Sequence, residues 1–194
     1  RRMPVPQRRA GIHFAQSSVT LSVLAVDRAS LELCINRPCE RKDAGRVLAD
    51  LVSQHDLKGL SAYATLSRSD YETQFVDLPG VGEDELREAL PWRVTPPGVL
   101  SNDEIVTTGV RLSNDREVGG DEATLVRATV MSRSMLQQLS EAVTDAGLDL
   151  RAVFPRETAL ITLAKQGVED IGVDAEEPAE ALPIMTIFVA RRST

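Results

Sequence analysis

Asp70-Tyr71-Glu72-Thr73-Gln74-Phe75-Val76-Asp77-Leu78-Pro79-Gly80-Val81-Gly82-Glu83-Asp84-Glu85-Leu86-Arg87-Glu88-Ala89-Leu90-Pro91-Trp92-Arg93-Val94 reads as a short strand, a Pro/Gly turn and an amphipathic helix. Glu83, Asp84 and Glu85 suit the positive end of a helix dipole. Leu86, Ala89 and Leu90 then recur at i, i+3 and i+4 and share one face. Pro91 lacks a backbone donor and clashes with the preceding turn, so the helix is expected to break or kink there, beside the only tryptophan, Trp92.

Before this stretch, 11–15 and 19–26 read as strands joined by the tight turn Gln16-Ser17-Ser18, and 31–35 as a third strand. A helix over 41–55 follows, with Val47, Leu48, Leu51 and Val52 at helical spacing and Asp43 as its cap. A strand at 60–66 completes a crossover. After it, Pro96-Pro97-Gly98 marks a loop, and 104–112 and 123–131 read as a hairpin with a long polar tip carrying Gly119-Gly120. Val126, Ala128 and Val130 alternate with Arg127 and Thr129, as a half-buried strand requires. Ser132 caps a helix from Arg133 whose stripe is Met135, Leu136, Leu139, Val143 and Ala146, closed by Gly147. A strand at 148–154 and a helix over 156–166 end this run, and strand, helix, strand, helix points to an α/β sheet. Residues 167–183 read as an acidic solvated loop, and 184–190 as the start of one more strand with nothing after it, which suggests a fragment.

A chain of 194 residues accommodates one domain or two small ones, and at this size it buries on the order of 70% of its unfolded surface. Its net charge of −7 disfavours nucleic acid as a partner, since phosphate binding needs gathered Lys and Arg. The exception is Arg1, Arg2, Arg8 and Arg9 around Pro4 and Pro6, a flexible basic arm over 1–10; on an anionic membrane each such charge supplies about 1 kcal/mol. No apolar run or leader marks a membrane span, which places the chain in the cytoplasm.

Reactive groups are few. Cys34 and Cys39 match no zinc or redox spacing and read as free thiols. Of the two histidines, His13 reads as a buried structural residue within the first strand, and His55 lies at a helix end where the dipole favours a cation. No phosphate-loop or dinucleotide-binding glycine pattern occurs, and no metal or cofactor site is expected.

The residues Asp70-Tyr71, Phe75-Val76, Pro79, Glu85-Leu86, Ala89 and Trp92-Arg93 resemble the signature region of the MshI-like pilus-biogenesis family. That family is related to the type IV pilus assembly protein PilM and to the cytoplasmic part of type II secretion protein L. The runs from Ala128 to Leu136, Ala146-Gly147-Leu148 and Ala152-Val153-Phe154-Pro155 are similar to the strand, helix and strand that follow in those proteins, and the likeness covers about 11–166.

The resemblance implies an actin-like (ribonuclease H-like) α/β fold with an inserted small α+β subdomain, as a fragment of a two-half fold. On that reading, 11–70 begins the first actin-like subdomain, 71–113 is the insertion, 114–167 completes the first half, and 168–194 is an acidic loop leading into the next. In nucleotide-binding members an Asp-x-Gly hairpin holds metal and phosphate; here His13 and Ala15 stand at those positions. A neutral imidazole is a poor magnesium ligand, and a Cβ crowds the approach of phosphate. The second phosphate segment, expected near 184–194, reads Phe188-Val189-Ala190-Arg191-Arg192-Ser193-Thr194, with neither Asp nor Gly. The resemblance therefore implies a non-catalytic cytoplasmic adaptor of a type IV pilus (MSHA-like) or related secretion assembly, peripheral to the inner membrane. Its partner would be the cytoplasmic tail of a bitopic inner-membrane protein, held in a groove between the first subdomain and the insertion. Leu86, Leu90 and Trp92 are the expected partner-binding residues, self-association is compatible with this reading, and an actin-like ATPase in the same machinery is the alternative. An α/β enzyme unrelated to pili would need a cleft with clustered, perturbed titratable groups.

Overall fold

The computed structural model describes residues 8–25, 30–79, 81–82, 84–112 and 125–159. It divides into two units, Arg1–Pro155 and Arg156–Thr194. In the second, 156–159 are helical, as expected for the start of that segment. The rest of that helix, the acidic loop, the last strand, the segment aligned with the second phosphate signature, the Gly119-Gly120 tip, and Arg1, Arg2, Pro4 and Pro6 lie outside the described residues.

The first unit holds two sheets. Strands β1 (Arg8–Phe14), β2 (Ser18–Ala25) and β3 (Ser30–Pro38) form an antiparallel meander, and β4 (Ser61–Thr65) and β8 (Asp149–Phe154) extend it in the order β3-β2-β1-β4-β8. The last two run parallel to β1, because a helix connects into each: α1 (Ala44–Gln54) before β4 and α3 (Arg133–Asp145) before β8. Alternation puts Ile12, Phe14, Leu21, Val23, Ala62 and Ala64 on one face, where they bury against Leu48, Val52, Leu139 and Val143 of the helices. At Gly45 an added Cβ would stand 3.2 Å from that of Ala142, so glycine there lets α1 and α3 approach closely.

The second sheet has the order β5-β7-β6, from β5 (Glu72–Asp77), β6 (Ile105–Arg111) and β7 (Leu125–Ser132), all antiparallel. Helix α2 (Leu86–Arg93) covers one face, and Leu86, Leu90 and Val94 join Ile105, Val126, Ala128 and Val130 in a second core. The pairing of β6 with β7 is the expected hairpin. Its consequence is that the small sheet takes its central strand from beyond 71–113, since two strands sharing hydrogen bonds cannot lie in separate layers.

Several local expectations are corrected. Strand β1 starts at Arg8, not Gly11, because Arg8 pairs with Ala25 and Arg9 with Leu24, Arg8 bonds Glu32 at 2.8 Å, and the Arg9 guanidinium lies over the Tyr63 ring. Asp43 makes no capping bond; a 3-10 turn at Arg41–Asp43 leads into α1. Asp70 is not in the strand but closes a 3-10 turn at Arg68–Asp70. Helix α2 runs through Pro91 for two further residues, because the Val94 N–H still closes on the Leu90 carbonyl at 3.1 Å and Leu86 and Leu90 anchor the helix from within. Reciprocal bonds between the Gln74 amide and the Thr95 backbone fix its exit against β5.

Candidate functional site

The β1–β2 turn is closed by the Ala15 N–H donating to the Ser18 carbonyl at 2.9 Å, and the Cys39 N–H donates to the Ser17 carbonyl. Arg41 reaches in from the start of α1. One guanidinium nitrogen donates to the Phe14 and Ala15 carbonyls at 3.0 and 3.4 Å, and the other to Asp70 Oδ2 at 2.8 Å. Asp70, with a side chain only 4% exposed, also accepts from the Ser67 N–H at 3.1 Å. Gln16 bonds Ser69 across the same gap. A charge-assisted network therefore ties the hairpin to the β4–β5 connection. His13 is half-buried rather than buried, on the sheet face away from α1 and α3, with Nδ1 3.0 Å from Thr65 Oγ1.

Leu86 and Leu90 sit in the second core, Leu90 at 1% exposure, whereas Trp92 is 77% exposed on α2. The three are thus not brought together on one surface. Their helix faces Gly109, where an added Cβ would lie 2.6 Å from Leu90 Cδ1. By alternation, Val106, Thr108 and Val110 point to the opposite face of the small sheet, with Met131, Thr129 and Arg127 as their cross-strand partners.

That opposite face forms one wall of a cleft of about 370 Å³. Val106, Thr108, Thr129 and Met131 line it from the small sheet, Leu136 and Ser140 from α3, and 150–153 from β8, together with Leu66 and Pro155. The lining is mostly apolar. Strand β8 ends the large sheet, and among the described residues nothing pairs with its outer edge. An apolar trough beside an unpaired strand edge is the arrangement that accepts an extended peptide by main-chain hydrogen bonds and side-chain pockets.

Titratable chemistry is sparse. His55 is exposed at the end of α1, and Cys34 and Cys39 are free thiols, as expected. Asp103 and Glu104, at the start of β6, are held below the ordinary carboxylate range, chiefly by hydrogen bonding from the Ser101 side chain. The Ser101 hydroxyl and N–H donate to Glu104 Oε2 at 2.6 and 2.9 Å. Both carboxylates are exposed and outside the cleft. Among the described residues no cluster of His, Cys, Asp or Glu could hold a metal ion, and no helix is long and apolar enough to cross a membrane.

No protein-family model and no curated protein matches the chain. Solved structures do. A PilM-PilN type IV pilus biogenesis complex aligns at a TM-score of 0.67 and 18% identity, covering 83% of this chain and 51% of that chain. The cytoplasmic domain of EpsL, an inner membrane component of the type II secretion system of Vibrio cholerae, aligns at 0.58 and 14% identity, covering 76% and 57%. The chain thus spans about half the length of the structures it matches. What is shared is the fold: an actin-like α/β fold with a small α+β part.

Proposed function

We propose that the chain is a non-catalytic adaptor in type IV pilus or type II secretion machinery. It acts on the cytoplasmic side of the inner membrane and holds the tail of a membrane-anchored partner in the cleft between β8, α3 and the small sheet. The cleft carries this reading: among the described residues it is mostly apolar, open along a strand edge, and lined by no clustered acid/base groups. Main-chain bonding along β8 needs no reactive side chain. The fold shared with a PilM-PilN complex and with EpsL supports it.

The hairpin supports the adaptor over an ATPase. His13 and Ala15 stand where metal and phosphate would be held, and the Arg41 guanidinium already occupies the carbonyls of Phe14 and Ala15. Leu86 and Leu90 brace the small sheet from behind, and Trp92 is a separate exposed contact point on α2. The test is a pull-down of the full chain with synthetic cytoplasmic tails of inner-membrane pilus and secretion proteins. Thr108→Trp, which fills the cleft from an exposed position, should abolish retention of the tail. Retention unchanged in Thr108→Trp would exclude the cleft, and loss in Trp92→Ala would move the contact to α2.

A further inference from the structure

The outer face of the small sheet continues beyond the cleft along β7, from Met131 and Thr129 in the lining to Arg127, two residues and about 6.6 Å further on. Arg127 is half-buried. Its direct cross-strand neighbours are Phe75 on β5 and Val110 on β6, which are 62% and 51% exposed. Among the described residues Arg127 has no ion pair or side-chain hydrogen bond. The acidic residue that shares its face, Asp77, sits one step on, opposite Leu125, and makes no ion pair with it. A guanidinium fork set between two exposed apolar side chains is a favourable arrangement for a carboxylate that arrives with apolar neighbours.

From this we infer that the partner segment carries an Asp or Glu one to three residues beyond its apolar anchor, and that Arg127 reads it, with Phe75 and Val110 excluding water around the pair. The inference rests on the cleft being the docking site and adds the sequence requirement. The chain's net charge of −7 works against acidic ligands in general. A preference for an acidic residue must therefore arise locally; Arg151, which lines the cleft, is already paired with Asp149, so the preference should vanish with Arg127.

The probe is a set of fluorescein-labelled decapeptides in which a Leu-Val-Leu-Val block is followed, two residues on, by Glu, Gln or Lys, titrated with the full chain by fluorescence anisotropy. The Glu peptide should bind about tenfold more tightly than the Gln peptide, as a charged hydrogen-bonded pair gives, with Lys weakest, and the ratio should shrink as salt is raised. Arg127→Gln should bring the ratio to one. Equal binding of all three peptides to the unmodified chain, or a Glu preference that survives Arg127→Gln, would overturn the assignment and leave the cleft standing. Failure of every peptide to bind the unmodified, folded chain would remove the docking site and the inference with it.

Discussion

Removing the Asp70 carboxylate should be among the most damaging single changes outside the apolar cores. Asp70→Ala removes the acceptor of three donors: the Arg41 nitrogen at 2.8 Å, the Ser67 N–H at 3.1 Å and, more weakly, the Ser69 hydroxyl at 3.5 Å. Breaking a fully buried pair costs about 3–5 kcal/mol. Asp70 is buried to that degree, at 4% exposure, but Arg41 keeps 28% and can recover some solvation. We therefore expect a loss of about 2–3 kcal/mol, between the cost of one charged hydrogen bond and that of a buried pair. In a domain of this size that lowers the melting temperature by roughly 4–12 °C. Asp70→Asn keeps an acceptor and should lose about half as much. Urea unfolding of Asp70→Ala, Arg41→Met and the double variant measures the coupling, which should exceed about 1 kcal/mol, because the two residues share one network. A loss below about 0.5 kcal/mol for Asp70→Ala, the range of ordinary surface changes, would refute the clamp.

Three further outcomes follow from the packing. Leu90→Ala should cost about 2–5 kcal/mol in chemical denaturation, while Trp92→Ala stays within about 0.5 kcal/mol; the reverse order would contradict the burial of α2. Gly109→Val places atoms where Leu90 Cδ1 and Val126 Cγ1 already stand, at 2.6 and 2.8 Å from the first added carbon, and should destabilise by about 1–3 kcal/mol of overpacking, read as a lower melting temperature. Because hydrogen bonding holds Asp103 and Glu104 below their ordinary range in the folded chain, the stability they contribute is present at neutral pH and lost as pH falls through those lowered values. Ser101→Ala should return both titrations, followed by NMR, towards ordinary carboxylate values.

The strand–helix order was legible because alternation and helical spacing are strong signals along β1, β2, α1, β7 and α3. The cap at Ser132 and the left-handed closing residue Gly147, with φ of 87°, were legible from residue type alone. Asp70 was misplaced into a strand although Ser67-x-x-Asp70 carries the spacing of a capping box, a local pattern that outweighed the apolar run after it. The helix passes Pro91 by two residues and ends at Arg93, beside Trp92, because burial of Leu86 and Leu90 holds a turn that propensity alone would end. The cleft could not be read in the sequence, since its walls come from β6, β7, α3 and β8 and meet only in the fold. Leu86 and Leu90 show the same limit: an apolar stripe has the same spacing whether it faces a partner or its own sheet.

Calorimetric titration of the full chain with magnesium-ATP, and separately with a synthetic cytoplasmic tail of an inner-membrane assembly protein, tests the adaptor most directly. The account predicts heat from the tail that Thr108→Trp removes, and none from magnesium-ATP with or without the tail. Magnesium-dependent ATP binding with a silent tail would contradict it and make the β1–β2 hairpin a working nucleotide site.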